Sequence, residues 1–374
     1  MGGVVIPSAT RDLIGRCIIL MANQIPRPSD GLGMTTAPGI KIIMHDIIAI
    51  GSATRDVFLL SKEFQLIRSE AFSTGVGECV ALGEKIDVDE LVLSTGGGAT
   101  NAAVTFSQLG FQTAVVSRIG DDEPGNSILS ALTTAKIDTS FVKKIKGGQT
   151  AYSTLLTAPN GERTILVYRG VSAEFALADV PFKALSAKWF YVSSLSGNVA
   201  LLAKIIAHAK KIGAKIAVNP GGGELGKSAE LRALLKDVDV ILVNLEEAQK
   251  LTASDSKDGK ELAGLLTGSI HGSTPTATLA IVTDGPRGAY AVQGKIKYSA
   301  RNRNVKSVSR TGAGDAFGSG TVAGLMKGLS VEDSLKIGTL NAESVIQHVG
   351  AKAGIITKWP TDKALEEIRV FVTK

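Results

Sequence analysis

The segment Arg310–Gly320 combines several glycines with one carboxylate at the start of a helical pattern. It reads Arg-Thr-Gly-Ala-Gly-Asp-Ala-Phe-Gly-Ser-Gly and runs into the pattern Val322 to Met326. A glycine-rich turn that enters a helix leaves backbone N–H groups unpaired, and the helix dipole adds about half a positive charge there. Asp315 could be a simple helix-start residue. A carboxylate beside such donors also suits phosphoryl transfer to an alcohol, which needs a base for the hydroxyl and donors for the moving charge.

A second glycine cluster, Ser94–Ala103, stands at another junction between a strand and a helix. Its three consecutive glycines, 96–98, allow the backbone to approach a ligand closely, and Asn101 can both donate to and accept from a hydroxyl-rich ring. The segment is not a dinucleotide fingerprint, because Asn101 stands where the third glycine would be required. A tight turn with an asparagine cap explains the cluster equally well when it is taken alone.

A third segment, Gly221–Ser228, matches the Walker A pattern letter by letter and follows a plausible strand that ends at Asn219. Its context is poor, because the next strand ends in Asn244 where a Walker B partner would supply an aspartate for Mg²⁺. A P-loop therefore stays open only as the weakest alternative.

Apolar runs of strand length alternate with helical patterns along most of the chain. The strands are near-continuous Val/Ile/Leu runs without polar alternation, which is typical of parallel strands that are buried on both faces. We therefore predict a three-layer α/β/α, doubly wound, mostly parallel sheet. The predicted strands are Ile47–Ile50, Thr113–Ser117, Trp189–Ser193, Lys215–Asn219, Val238–Asn244 and Leu279–Thr283. The predicted helices are Asn101–Leu109, Gly125–Ala135, Val199–Ile212, Leu245–Leu251, Asp315–Gly328 and Val331–His348.

Two regions break this alternation, and they consist of short strand patterns separated by glycine turns. They cover about residues 57–93 and 150–169, and their strand candidates are Phe58–Leu60, Cys79–Leu82, Leu91–Leu93 and Thr164–Tyr168. We expect a small β-sheet at the edge of the main one, of the kind that forms a lid over a cleft. Residues 1–40 are expected to form a mobile N-terminal extension, and residues 41–374 one domain.

The composition excludes several classes of function. The 374 residues carry 41 basic and 35 acidic side chains, and the basic residues are scattered, so we expect no nucleic-acid partner. The apolar run Leu13–Ala22 is too short to span a membrane, and we expect neither a membrane partner nor an export signal. Cys17 and Cys79 lie far apart, which excludes a disulfide framework and favours a reducing, cytoplasmic location.

Together, the motifs resemble those of the ribokinase-like, or PfkB, family of carbohydrate and nucleoside kinases over about residues 47–360. The matching residues are Gly96-Gly97 with Asn101, Asn244-Leu245-Glu246-Glu247, and Gly312-Ala313-Gly314-Asp315, in the family's order. The resemblance implies that Asp315 is the catalytic base. It also implies that Gly312, Ala313 and Gly314 form an anion hole for the γ-phosphate of ATP.

The resemblance further implies residues for the nucleotide and its metal. Asn244 and Glu247 stand three apart on one helix face and would hold hydrated Mg²⁺, although a helix cap explains the pair without a metal. The segment Thr283–Gly288 looks like the family's nucleotide loop, with Thr283, Gly285 and Gly288 near the phosphates and ribose. Asn341 falls where the family has a residue near the adenine.

For the acceptor, Gly51–Asp56 resembles the first-strand motif whose aspartate binds two sugar hydroxyls. Asp56 would then bind a vicinal diol, with Gly97 and Asn101 completing the site and Arg169 touching the acceptor or its phosphate. Asp56 could instead be a turn residue, and Arg169 an ordinary exposed arginine.

The chain departs from the family pattern at two positions. Ser309 replaces the aspartate that binds a monovalent cation in many relatives, so K⁺ is not expected as a cofactor. Gly98 stands where sugar-specific ribokinases usually have lysine, which leaves the identity of the sugar open.

The resulting prediction is an ATP- and Mg²⁺-dependent kinase that phosphorylates a hydroxymethyl group of a sugar, as ribokinases and fructokinases do. A nucleoside kinase acting on an adenosine-like acceptor is the alternative within enzymes. A noncatalytic sugar-binding protein on the same fold is the alternative from another class. The family also suggests a homodimer formed through the lid.

Overall fold

The computed structural model describes residues 43–72, 75–158, 163–271 and 278–374. The predicted extension, residues 1–40, lies outside the described residues. Within them, the strands form one large sheet, a second sheet of four strands and a two-stranded ribbon.

The large sheet has ten strands, in the order β16-β15-β14-β13-β12-β11-β10-β1-β6-β7. The seven strands β13, β12, β11, β10, β1, β6 and β7 pair in parallel, each with the next. Strands β14, β15 and β16 then extend the sheet beyond β13 in antiparallel fashion. Their bounds are β1 His45–Ile50, β6 Thr113–Gly120, β7 Val142–Ile145, β10 Ala187–Val192, β11 Lys215–Val218, β12 Val240–Asn244, β13 Leu279–Thr283, β14 Ala289–Gln293, β15 Ile296–Ala300 and β16 Val370–Thr373. The predicted mostly parallel, doubly wound sheet is confirmed.

Helices cover both faces of this sheet. They are α1 Gly98–Gln108, α2 Glu123–Thr134, α3 Val199–Ile212, α4 Gly222–Leu225, α5 Ser228–Leu235, α6 Leu245–Thr252, α7 Gly259–His271, α8 Ala313–Met326, α9 Val331–Val345 and α10 Asp362–Glu366. One apolar core joins the sheet to α3, α5, α6 and α7, and the cores on the other face join it to α1, α2, α8 and α9. Because both faces are covered, the central strands are fully buried, as their uninterrupted apolar runs predict.

The second sheet has the order β5-β2-β8-β9, from strands β2 Thr54–Leu60, β5 Glu90–Gly96, β8 Ala151–Thr157 and β9 Arg163–Tyr168. The predicted small sheet is therefore present, although its central pair, β2 and β8, is parallel. This sheet begins at Thr54, before the predicted start of the lid at residue 57, so Asp56 lies within β2. The predicted strand Cys79–Leu82 is wrong. Residue 79 instead ends β4 Val76–Cys79, which pairs with β3 Gln65–Arg68 in the separate ribbon.

Candidate active site

Asp315 lies in the first turn of α8, where it meets the start of α1. The Nδ2 of Asn101 donates to Asp315 Oδ2 over 2.8 Å, although the two residues are 214 positions apart. Burial raises the pKa of Asp315, an effect that the bond from Asn101 and the charge of Lys352 oppose and the charge of Asp56 reinforces. The Oδ1 of Asn101 is buried and accepts no hydrogen bond from the described residues. A carboxylate of raised pKa can accept the proton of a hydroxyl group that is placed beside it.

The N-terminus of α8 is open in front of Asp315. Gly312 caps the helix with a φ of 82°, and a Cβ there would lie 2.5 Å from the Cβ of Ala351, so the position requires glycine. In contrast, a Cβ on Gly314 would meet no atom within 4 Å. The N–H of Ala313 donates to Arg310 O over 3.3 Å, whereas the N–H groups of Gly314 and Asp315 belong to the first turn and lack carbonyl partners within the helix. This end of the helix can therefore bind an anion.

A cleft of about 620 Å³ opens directly onto this helix end. Its volume lies in the range of small-molecule sites, roughly 300–1,000 Å³. Six of the predicted nucleotide and anion residues line it: Asn244, Thr283, Gly285, Gly288, Ala313 and Gly314. Val305, Phe317, Ala342 and Ile346 supply apolar surface. The cleft therefore combines backbone N–H donors, which can bind a phosphate, at one end with an apolar wall on which the adenine ring of a nucleotide could pack.

Asn244 and Glu247 form a reciprocal cap at the start of α6. The backbone N–H of Glu247 donates to Asn244 Oδ1, and that of Asn244 donates to Glu247 Oε2, both over 2.9 Å. Burial raises the pKa of Glu247, opposed by the Asn244 amide and Lys250 and reinforced by the charges of Asp315 and Glu246. The cap uses only one carboxylate oxygen, so Glu247 Oε1 remains available to a cation. No group of three metal-ligating side chains occurs among the described residues.

On the other side of Asp315, the end of the second sheet supplies Asp56. Asp56 is 6% exposed and its Oδ1 accepts from Thr54 Oγ1 over 2.9 Å. Burial raises the pKa of Asp56, which the hydrogen bonds from Thr54 and Ser153 and the charge of Lys352 oppose. Gly97, with a φ of 96°, lets the chain turn close to the loop after β1, where a Cβ would lie 2.4 Å from Ser52 O. The structure thus brings Asp56, Gly97, Asn101 and Asp315 into one region.

Lys352 is a charged member of this region for which the sequence offers no motif. Its Nζ donates to Thr95 O and Thr95 Oγ1 over 2.9 Å and to Thr100 Oγ1 over 2.8 Å. Burial lowers the pKa of Lys352 to about 7, even though the nearby carboxylates of Asp56 and Asp315 act to raise it. A lone lysine in an irregular segment gives no signal in a single sequence.

Asn341 is not brought to the cleft. It is fully buried, and its Nδ2 donates to Ala316 O over 2.8 Å and to Thr105 Oγ1 over 3.2 Å. Its Oδ1 accepts from the backbone N–H of Ile356 over 3.0 Å. Because the amide is used inside the protein, Asn341 holds α9 against α8, and its neighbour Ala342 lines the cleft instead.

Arg169 follows β9 with an exposed side chain, while its backbone carbonyl accepts from Ser172 N–H over 3.0 Å. Its predicted contact with the acceptor stays a prediction.

The Walker A match has a different use in the structure. Glu224 is 1% exposed, and its carboxylate accepts from the backbone N–H groups of Leu195, Gly197 and Gly221 over 2.7–2.9 Å. The Nζ of Lys227 donates to Gly197 O over 2.9 Å. The carboxylate of Glu224 already occupies donors that a phosphate would need, so the loop is built as an internal support.

Residues 44–358 match the family model described as pfkB family carbohydrate kinase. The chain belongs to this family. It is 27% identical over 296 residues to a ribokinase of Haemophilus influenzae, an alignment that covers 76% of this chain and 91% of the relative. It is 31% identical over 235 residues to fructokinase-2 of Solanum lycopersicum, which covers 59% of this chain and 70% of the relative. The solved structure of adenosine kinase from Sinorhizobium meliloti has a TM-score of 0.68 at 22% identity and covers 84% of this chain and 98% of that one.

The protein is therefore a kinase whose acceptor is an alcohol group, and the predicted family and enzyme class are confirmed. Membership of a kinase family favours an enzyme over the noncatalytic sugar-binding protein that the sequence left as an alternative. No helix among the described residues is long and apolar enough to cross a membrane.

Proposed function

We propose that the protein transfers the γ-phosphate of ATP to a hydroxymethyl group of a sugar. The observation that carries this proposal is the Asn101–Asp315 pair at 2.8 Å, whose aspartate follows the cleft-lining Gly314 and interacts electrostatically with Asp56. A nucleotide in the cleft would direct its terminal phosphate at the helix end, and a sugar held by Asp56 and Asn101 would place a hydroxyl beside Asp315.

In this reaction, Asp315 accepts the proton of the sugar hydroxyl as its oxygen attacks the γ-phosphorus. The bond between that phosphorus and the bridging oxygen breaks, and ADP leaves with the electron pair. The first-turn N–H groups of α8 stabilise the charge on the transferred phosphoryl group. Asn101 holds the carboxylate of Asp315 in position through its Nδ2.

Asn244 and Glu247 would hold hydrated Mg²⁺. A free carboxylate oxygen one turn after the cleft-lining Asn244 suits a cation that keeps most of its waters. When bound, Mg²⁺ would supply charge neutralisation at the phosphates. Because Glu247 is half-buried with a raised pKa, a nearby cation would favour its ionised form.

A sugar is favoured over a nucleoside by the positions of Phe58 and Tyr168, which lie on strands β2 and β9 of the second sheet. Stacking on a base would need an exposed ring on the face of this sheet that carries Asp56. Phe58 lies on that face but is 1% exposed. Tyr168 pairs with Tyr152, whose partner on β2 is Arg55, so Tyr168 lies on the opposite face.

A coupled ADP-release assay over pentoses, hexoses, phosphosugars and nucleosides, with and without K⁺, tests the proposal. We expect turnover with a sugar and no dependence on K⁺. Turnover with nucleosides alone would move the function to the alternative, and no turnover with any acceptor would overturn the proposal.

We further propose that the chain forms a homodimer through the outer face of the second sheet. Leu91, Leu93, Leu166 and Tyr168 are 53–59% exposed, and sheet register places them on the face opposite Asp56. An exposed apolar patch of this kind is typical of an interface. Sedimentation should give a dimer that the substitution Leu93→Glu dissociates; a wild-type monomer at micromolar concentration would contradict this proposal.

The cytoplasmic location stays a prediction from cysteine usage.

A further inference from the structure

The segment that follows α9 connects the two glycine clusters of the site. Ala351 packs closely on Gly312, since a Cβ added to Gly312 would lie only 2.6 Å from the Cα of Ala351. A Cβ on Gly350 would lie 3.3 Å from Ser94 Oγ, at the end of lid strand β5. Lys352, the next residue, extends its side chain towards β5 and α1. Three consecutive residues thus touch the helix end that faces the phosphate and the strand that leads to the acceptor site.

The geometry of the lysine fits an ammonium group. Its Nζ has three oxygen partners at 2.8–2.9 Å, two on Thr95 and one on Thr100, and an ammonium has three protons to donate. Thr100 Oγ1 itself donates to Gly96 O over 2.6 Å and so keeps a lone pair for the lysine. Because Thr100 precedes Asn101, these bonds fix the first turn of α1 that carries the partner of Asp315.

The ammonium also faces the two acidic groups of the acceptor region. The charges of Asp56 and Asp315 both favour its protonated form, and its charge favours their ionised forms. The other titratable groups that interact with Asp56 or Asp315 are Arg55 on β2, Tyr191 on β10 and Glu247 on α6. Of these, Arg55 donates to Ser127 Oγ and to Ser94 O on β5. Lys352 is the cation that bonds to both β5 and α1.

We propose that Lys352 is a positioning residue for phosphoryl transfer: it holds the start of α1 against lid strand β5 and offsets the charges of Asp56 and Asp315. The kinetic consequences of this inference rest on the proposed function, whereas the hydrogen bonds and the charge that Lys352 supplies do not depend on it. The lowered pKa of Lys352, about 7, means that the positive charge is lost in a pH range where the enzyme can be assayed.

The kinetic test compares Lys352→Met, which keeps the length and removes the charge, with Lys358→Met, which removes an exposed charge from the same segment. In the wild type, kcat/KM for the acceptor should fall at low pH as Asp315 is protonated and at high pH as Lys352 loses its proton. In Lys352→Met, the low-pH limb should move to higher pH, because the pKa of Asp315 rises without the ammonium, and the high-pH limb should disappear. Activity at pH 7 should fall about 10- to 100-fold.

Both limbs should stay in place in Lys358→Met. Limbs in Lys352→Met that coincide with those of the wild type would overturn the proposal, even if the variant were less active or less stable.

A second measurement needs no turnover. Carboxyl ¹³C NMR of the ligand-free protein gives the pKa of Asp315 directly, and we expect a higher value in Lys352→Met than in the wild type or Lys358→Met. Equal values in the three proteins would reject the role of Lys352. If no acceptor is phosphorylated but the pKa of Asp315 does rise, the proposed function fails, while the structural part of the inference, in which Lys352 offsets the charge of Asp315, stands.

Discussion

Two glycine-rich segments of this protein have similar compositions and opposite uses. At 312–315, the start of α8 faces a cleft, and a side chain on Gly314 would meet only open space. At 221–228, the segment that matches Walker A folds around Glu224, whose carboxylate takes up the surrounding N–H groups. Glycine-rich backbone can therefore bind an external anion only where the chain supplies no anion of its own.

The largest expected effect comes from removing the carboxylate at the open segment. Asp315→Asn should lower kcat about 10³- to 10⁴-fold with a small change in the KM for ATP, because the amide cannot accept the hydroxyl proton. Steady-state kinetics measure this, with Asp362→Asn, at the exposed start of α10, as the control. A loss of less than tenfold would remove Asp315 from the chemistry.

The same substitution should not destabilise the fold at neutral pH. The pKa of Asp315 is raised in the folded protein, so the native state binds its proton more tightly than the unfolded state. That carboxyl group therefore makes folding less favourable as pH rises from about 3.8, its unfolded value, through the raised folded value. Asp315→Asn removes this effect, and its urea midpoint at pH 7 should equal or exceed that of the wild type.

The next effect concerns the shape of the open segment. Gly312→Ala should lower kcat about 100-fold, because a side chain at a φ of 82° is strained and would overlap Ala351 beside the helix end. Gly222→Ala is the matched control in the Walker-like segment, since its Cβ would meet no atom within 4 Å. Equal activities of the two variants would contradict the difference drawn between the segments.

The closed segment should respond in stability instead of activity. Glu224→Gln replaces one oxygen with an amino group that must face backbone N–H donors, so the free energy of unfolding should fall by about 2–3 kcal/mol. Urea denaturation measures this, and Glu230→Gln, exposed on α5, should change it by less than about 0.5 kcal/mol. A variant as stable as the wild type, or one that loses turnover while folded, would show that Glu224 is not an internal support.

The fold could be predicted from the sequence to a large extent, because β1, β6, β10 and β13 each contain a buried apolar run that requires cover on both faces. Strands β14 to β16 escaped prediction, as did helix α7, whose apolar residues mix with glycine, lysine and threonine. The glycine clusters of the site are local signals and could be found. The bond between Asn101 and Asp315, the burial of Asn341 and the contacts of Lys352 depend on tertiary packing, which no local pattern encodes.

The smallest expected effect is that of Lys227→Ala, which tests most directly whether the segment 312–315 or the Walker-like segment 221–228 binds the nucleotide. In a P-loop, the lysine at position 227 would bind the β- and γ-phosphates, and Lys227→Ala would abolish turnover. In this structure its Nζ donates to Gly197 O over 2.9 Å from an exposed position. Lys227→Ala should therefore change the KM for ATP and kcat by less than twofold, as should Lys236→Ala, a second exposed lysine nearby. A loss of more than 100-fold in Lys227→Ala alone would transfer nucleotide binding to this segment, because an exposed hydrogen bond to one carbonyl is too weak to account for it.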